Sequence, residues 1–154
     1  MAKATTKYQE LKAKMAEARK QLKETARKAF TEMAEELFAE NPSILSFGWT
    51  QYTPYWNDGD VCEFGANTDY PSVSFTAKDG KVVNYNENSG DCTDGDDTEL
   101  DSTPYEKEFN KHLKAISAFL NNFDEEDLEA MFGDHMQITV DRKGKVETEE
   151  YEHE

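Results

Sequence analysis

The chain has 154 residues, with 33 Asp or Glu against 17 Lys or Arg and a formal net charge of −16. That length suits one domain with one core, and the 12% aromatic content supplies burial that the modest 36% hydrophobic content would otherwise lack. The charge argues against binding nucleic acid or anionic lipid, whose phosphates would repel it, and no apolar run approaches the roughly 18 residues of a membrane span.

The first residues, Met1-Ala2-Lys3-Ala4-Thr5-Thr6, lead straight into charged helix. Without an apolar stretch there, a signal peptide is not expected and a cytoplasmic location is. Cys62 and Cys92 are too few for a disulfide scaffold or a four-thiolate zinc site, so two reduced thiols are expected.

The spacing predicts a long helix over 7–40, with a capping-box signal at Thr6 and Gln9 and a stop at Asn41-Pro42. Its apolar positions, Tyr8, Leu11, Met15, Ala18, Leu22, Ala26, Phe30, Met33 and Leu37, recur at steps of three and four and form one stripe. From Tyr8 to Leu22 the stripe fits a heptad seam flanked by Lys7, Lys12, Lys14 and Arg19. Glu10 to Lys14 and Glu24 to Lys28 have the spacing of favourable helix ion pairs. Residues 1–30 hold nine Lys or Arg and three Glu, a net of +6. At about 1.5 Å per residue such a helix should overhang its own body by several turns, basic end outward.

Candidate strands follow at 43–52, 61–66, 73–76 and 81–85, with a hairpin turn at Ala77-Lys78-Asp79-Gly80. Residues 86–103 read as a mobile acidic loop. Thr103-Pro104-Tyr105-Glu106 carries helix-start signals, and Tyr105, Phe109, Leu113, Ile116, Phe119, Leu120 and Phe123 form an apolar stripe. Asp124 caps a short third helix that Gly133 ends. Met136 to Val140 and Lys145 to Tyr151 complete a hairpin, its last strand rich in Glu. The fold class is α+β: a long N-terminal helix, an antiparallel meander, two further helices and a C-terminal β-hairpin. Residues 1–42 form the helix and residues 43–154 an acidic body, in a single domain overall.

Chemistry-bearing residues fall in two runs. Trp49, Tyr52, Tyr55, Trp56, Asp58 and Asp60 set aromatic plates beside carboxylates, a composition able to stack and hydrogen-bond a nucleotide, a sugar or a protein partner. Asp91, Asp94, Asp96, Asp97, Glu99 and Asp101 supply hard oxygens. Neither run has EF-hand spacing, so no metal is expected and the second run reads as an acidic face for a partner. His112, His135 and His153 match no catalytic motif, and the chain has no Gly-rich phosphate loop or nucleophile elbow. No enzyme and no cofactor are expected.

The segment Trp49-Thr50-Gln51-Tyr52-Thr53-Pro54-Tyr55-Trp56-Asn57-Asp58-Gly59-Asp60 resembles small uncharacterised acidic proteins of tailed phages and bacteria that share Trp-x-Gln-Tyr-Thr-Pro-Tyr-x-Asn-Asp-Gly-Asp. The resemblance covers this segment alone and brings no activity. It implies a phage setting, in which small acidic proteins often inhibit host enzymes, some by imitating DNA. The expected function is a non-enzymatic inhibitor or regulator that binds a basic surface of a host protein in the host cytoplasm, as an anti-defence protein or DNA mimic. A nucleotide- or sugar-binding module is one alternative. A self-assembling structural protein, joined through its basic helix, is the other.

Overall fold

The computed structural model describes residues 2–55, 59 and 62–151, with side chains from residue 6 onward. It shows α1 (Ala2–Glu40), β1 (Ile44–Tyr52), β2 (Gly65–Ala66), β3 (Ser72–Thr76), β4 (Val82–Asn86), β5 (Cys92–Asp94), a 3-10 turn (Thr103–Tyr105), α2 (Glu106–Leu120), α3 (Glu125–Phe132), β6 (Met136–Asp141) and β7 (Val146–Glu150). The α+β class stands as expected. α1 begins before Thr6, so Thr6 lies inside the helix and not at its start. Its end is where Asn41-Pro42 put it: Asn41 donates from both its backbone N–H (3.1 Å) and its side-chain amide (2.9 Å) to the Leu37 carbonyl.

All strand pairs are antiparallel, in the order β5-β4-β3-β1-β6-β7, with β2 beside the end of β1. The C-terminal hairpin therefore joins the main sheet, and β1 becomes its middle strand. Among the described residues the strand expected over 61–66 is reduced to Gly65–Ala66. β1 passes so close to β6 that a Cβ on Gly48 would sit 2.5 Å from the Ile138 carbonyl oxygen, so only glycine fits there.

Alternation sends Phe47, Trp49 and Gln51 inward from β1, joined by Val73, Phe75, Val83, Ile138 and Val140 from its neighbours. α2 contributes Phe109, Leu113, Ile116, Phe119 and Leu120, and α3 contributes Leu128, Met131 and Phe132. Phe30 drives α1 into this core. Its ring lies 5.1 Å from Phe132, 5.2 Å from Phe123, 5.4 Å from Phe119 and 5.9 Å from Trp49. Ala34, Leu37 and Phe38 extend the docked face toward the C-terminus.

Arg142 fastens that end. Its guanidinium donates to the carbonyls of Phe38 (2.7 Å), Asn41 (3.0 Å) and Ile44 (3.0 Å) and lies over the Phe38 ring. A cation on the last carbonyls of a helix meets both its unpaired acceptors and the negative end of its dipole.

Two helix starts differ from expectation. A 3-10 turn precedes α2, and the Thr103 N–H donates to Asp101 instead of Thr103 capping the helix. Asp124 does occupy the extended position before α3, although its side chain makes no capping bond.

Candidate functional site

Every described residue of α1 from 6 to 25 is exposed. This is about 30 Å of helix, and its apolar stripe stays exposed along its length. Tyr8, Leu11, Met15, Leu22 and Met33 are five of the seven large apolar side chains exposed among the described residues; the others are Tyr55 and Tyr70. Lys7, Lys12, Lys14 and Arg19 flank the stripe, all exposed. The expected ion pairs do not close: among the described residues salt bridges join only Lys145 to Glu147 and His135 to Asp134. Lys12 instead lies over the Tyr8 ring, 5.6 Å from its centre.

Where α1 leaves the body, an open groove of about 830 Å3 separates it from α3. Leu22 and Ala26 line one wall, and Phe123 and Met131 the other. Arg19, Lys20 and Lys23 border it together with Asp127. The sequence put Phe123 on an apolar stripe, but nothing local could pair it with Leu22, about a hundred positions earlier. Lys20 and Lys23 were visible only as part of the basic end.

The acidic run is not the loop it was expected to be. Cys92–Asp94 pairs with β4, and a bridge joins Thr93 to Glu99. The carboxylates shape this segment. Asp94 accepts from the N–H groups of Asp96 (2.8 Å) and Thr98 (3.0 Å), closing a turn in which Asp97 takes a φ of 60°. Asp101 accepts from the Thr103 N–H at 3.0 Å, and this bond with the Thr103 hydroxyl holds its carboxyl below the usual range. Asp91, Asp96, Asp97 and Glu99 face solvent. Among the described residues no three His, Cys, Asp or Glu side chains converge as a metal would require.

The aromatic run divides. Trp49 is a core residue at 3% exposure, not a binding plate. Its indole N–H donates to Gln51 (3.0 Å), and the buried Gln51 amide donates to the carbonyls of Leu128 (2.9 Å) and Gly133 (2.6 Å). These bonds pair the polar groups of both buried side chains and tie β1 to the last turn of α3. Tyr52 is half-buried with its ring 5.6 Å from Tyr151, and Tyr55 stacks on His135 at 5.0 Å. Trp56, Asp58 and Asp60 lie outside the described residues.

Beside Tyr55, Asp134 accepts from the Thr53 N–H and hydroxyl, both at 2.7 Å, and from the His135 N–H at 2.8 Å. Burial pushes its carboxyl up, but the Thr53 and His135 donors outweigh burial and hold it below the usual range. His135 sits at a φ of 54° directly after Gly133-Asp134, so the turn itself presents its ring to Tyr55.

The sheet face turned away from the helices was not foreseen as a unit. Ser46, Ser72, Ser74, Asn84 and Thr139 line a shallow basin of about 250 Å3 there. The hydroxyl and amide residues alternate with core residues along each strand, which was legible, but strand order was needed to place them side by side. Cys62 and Cys92 are both free, and burial pushes the Cys92 thiol up, so it is a poor nucleophile.

No family model, no curated protein and no solved structure matches the chain. No helix among the described residues is long and apolar enough to cross a membrane.

Proposed function

We propose that the chain is a non-enzymatic inhibitor or regulator that acts by holding another protein, a host protein in the phage setting implied by the resemblance. One observation carries the reading: α1 keeps an apolar stripe exposed from Tyr8 to Leu22 while the same helix buries Phe30 to Phe38. Helices are marginal in water without tertiary packing, and a contiguous exposed apolar strip on a folded protein marks an interaction surface. The acidic body supports a second mode of contact. β7, a sheet edge, exposes Glu147, Glu149 and Glu150, a carboxylate row suited to a basic cleft in the manner of a DNA mimic.

Affinity capture from host lysate at low and high salt tests both. The helix reading expects a stoichiometric partner that the wild-type chain retains and the variant Leu11→Ser/Met15→Ser/Leu22→Ser loses. A partner kept by that variant but lost at high salt, or on changing Glu147, Glu149 and Glu150 to Gln, moves the function to the acidic body. Recovery of no stoichiometric protein under any condition removes the proposal.

A further inference from the structure

We infer that the occupant of the exposed α1 stripe is an acidic amphipathic helix of another protein, packed along Tyr8, Leu11, Met15 and Leu22 with carboxylates beside its seam. This rests on the reading of the stripe as a docking surface and adds the chemistry of the partner.

The register gives the charge rule. With Tyr8, Leu11, Met15, Ala18 and Leu22 as seam positions, the residues directly beside the seam are Lys7, Lys12, Lys14, Arg19 and Gln21. They include four cations and no carboxylate. Glu10 and Glu17 fall one position before Leu11 and Ala18, outside those flanks. Flanking positions set partner choice in paired helices, because they meet across the interface. Among the described residues none of the four cations is held in an ion pair. A partner helix with Glu or Asp at its flanks would meet all four, whereas a neutral one would leave them partly desolvated and unpaired.

A second copy fits poorly for two separate reasons. Pairing α1 with α1 sets cation against cation in either direction. The acidic body has the charge but no suitable helix: α2 turns Phe109, Leu113 and Ile116 into the core, and α3 does the same with Leu128, Met131 and Phe132. An anionic membrane would accept the basic stripe, but residues 41–154 carry eight positive and 26 negative charges, a net of −18, and would be drawn to the same surface. A single acidic helix avoids that conflict, since it is narrow enough to lie on α1 alone.

The groove at the base of the stripe fixes where such a helix ends. Its walls continue the seam from Leu22 and Ala26 onto Phe123 and Met131, and Arg19, Lys20 and Lys23 border it. The docked helix would seat its last turn there. Its seam would run about 21 Å from Tyr8 to Leu22, two heptads of contact.

Labelled synthetic peptides of about three heptads test this against the full chain by fluorescence anisotropy at low and moderate salt. One has Leu at the seam and Glu at the flanks, a second has Leu and Lys, and a third has Ser and Glu. The Leu–Glu peptide is expected to bind at least about tenfold tighter than either other, and less tightly as salt rises. Leu11→Ser/Met15→Ser/Leu22→Ser should lose that binding, and Lys12→Glu/Lys14→Glu/Arg19→Glu should reverse the preference toward the Leu–Lys peptide. These positions are exposed, and an unchanged denaturation midpoint confirms that the variants fold.

Equal binding of the Leu–Glu and Leu–Lys peptides overturns the inference and leaves α1 a docking surface without the charge rule. Equal binding of the Leu–Glu and Ser–Glu peptides overturns it too, because attraction alone would then suffice without a seam. Failure of all three overturns it as well. Sedimentation that shows a dimer lost in the serine variant then assigns the stripe to a second copy. Co-sedimentation with vesicles containing phosphatidylserine, lost in the same variant, assigns it to a membrane. If neither is seen, the docking reading falls together with the inference.

Discussion

Within α1, residues 26–38 and residues 8–22 share one apolar period and end in opposite surroundings. The first half buries Phe30, Ala34, Leu37 and Phe38, and the second leaves Tyr8, Leu11, Met15 and Leu22 in solvent. The two differ in what accompanies the stripe. The docked half carries two Phe rings with Arg27, Lys28, Glu32, Glu35 and Glu36 beside them; the outer half carries Tyr8 with Leu and Met, framed by Lys and Arg. Aromatic burial holds the docked segment, helped by Arg27 over the Phe132 ring and by Arg142 over Phe38. Periodicity announces that a stripe exists. The partners that β1, α2 and α3 bring alongside decide which part of it the protein covers for itself.

The largest expected break in this comparison is at Phe30. Its ring contacts four other aromatic rings from β1, α2, α3 and the turn between the two helices. Phe30→Ala should cost about 3–5 kcal/mol from lost transfer and the cavity left behind. Leu22→Ala, eight residues earlier on the same helix and one turn before Ala26, should stay within about 0.5 kcal/mol of wild type. Urea denaturation followed by near-ultraviolet circular dichroism measures both. Similar losses at the two positions would mean that the outer half is also packed in solution.

Arg142 offers a smaller break at the opposite end of the docked half. It joins three backbone carbonyls at the α1–β1 junction. Arg142→Ala should cost about 1.5–3 kcal/mol, the range for hydrogen bonds from a charged donor. Hydrogen exchange should show the loss first in residues 36–45, with residues 6–25 unchanged because they have no packing to lose.

Arg142 also marks the boundary of what sequence could show. Arg142-Lys143-Gly144 was legible as a turn, and it is one, with Gly144 at a φ of 85°. Its grip on carbonyls about a hundred residues away depends on β6 lying beside β1, which no local pattern encodes. The inward face of β1 was legible from alternation, yet whether Trp49 met a ligand or a core depended on Phe30 and Phe132 arriving above it. The overhang of α1 was legible because it needs only length and composition. The segment at 92–94 was lost for the opposite reason: a three-residue strand has almost no period of its own and exists here through its pairing with β4.

The smallest effect expected is a pH dependence confined to the body. His112 on α2 is buried, lies 4.9 Å from the Phe75 ring and has no hydrogen-bond partner for Nδ1. Burial, aided by the neighbouring Lys111, holds its pKa below the ordinary value of 6.5, and Glu108 opposes this only in part. Above about pH 6.5 the ring is neutral in both folded and unfolded chains and contributes no slope. As pH falls through that value the unfolded chain takes up a proton that the folded chain refuses, so stability declines until the folded pKa is reached. The lowered carboxyls of Asp79, Asp101 and Asp134 act elsewhere: their contribution is complete above their ordinary value of 3.8 and is lost only below it. Denaturation midpoints between pH 7 and pH 5 should therefore fall in the wild type and flatten in His112→Leu, which also removes the unpaired nitrogen. Helical signal from residues 6–25 should not follow the His112 titration, since no part of that segment packs against α2. A wild-type slope that survives in His112→Leu would assign the pH dependence to another group and end this last distinction between the body and the outer half of α1.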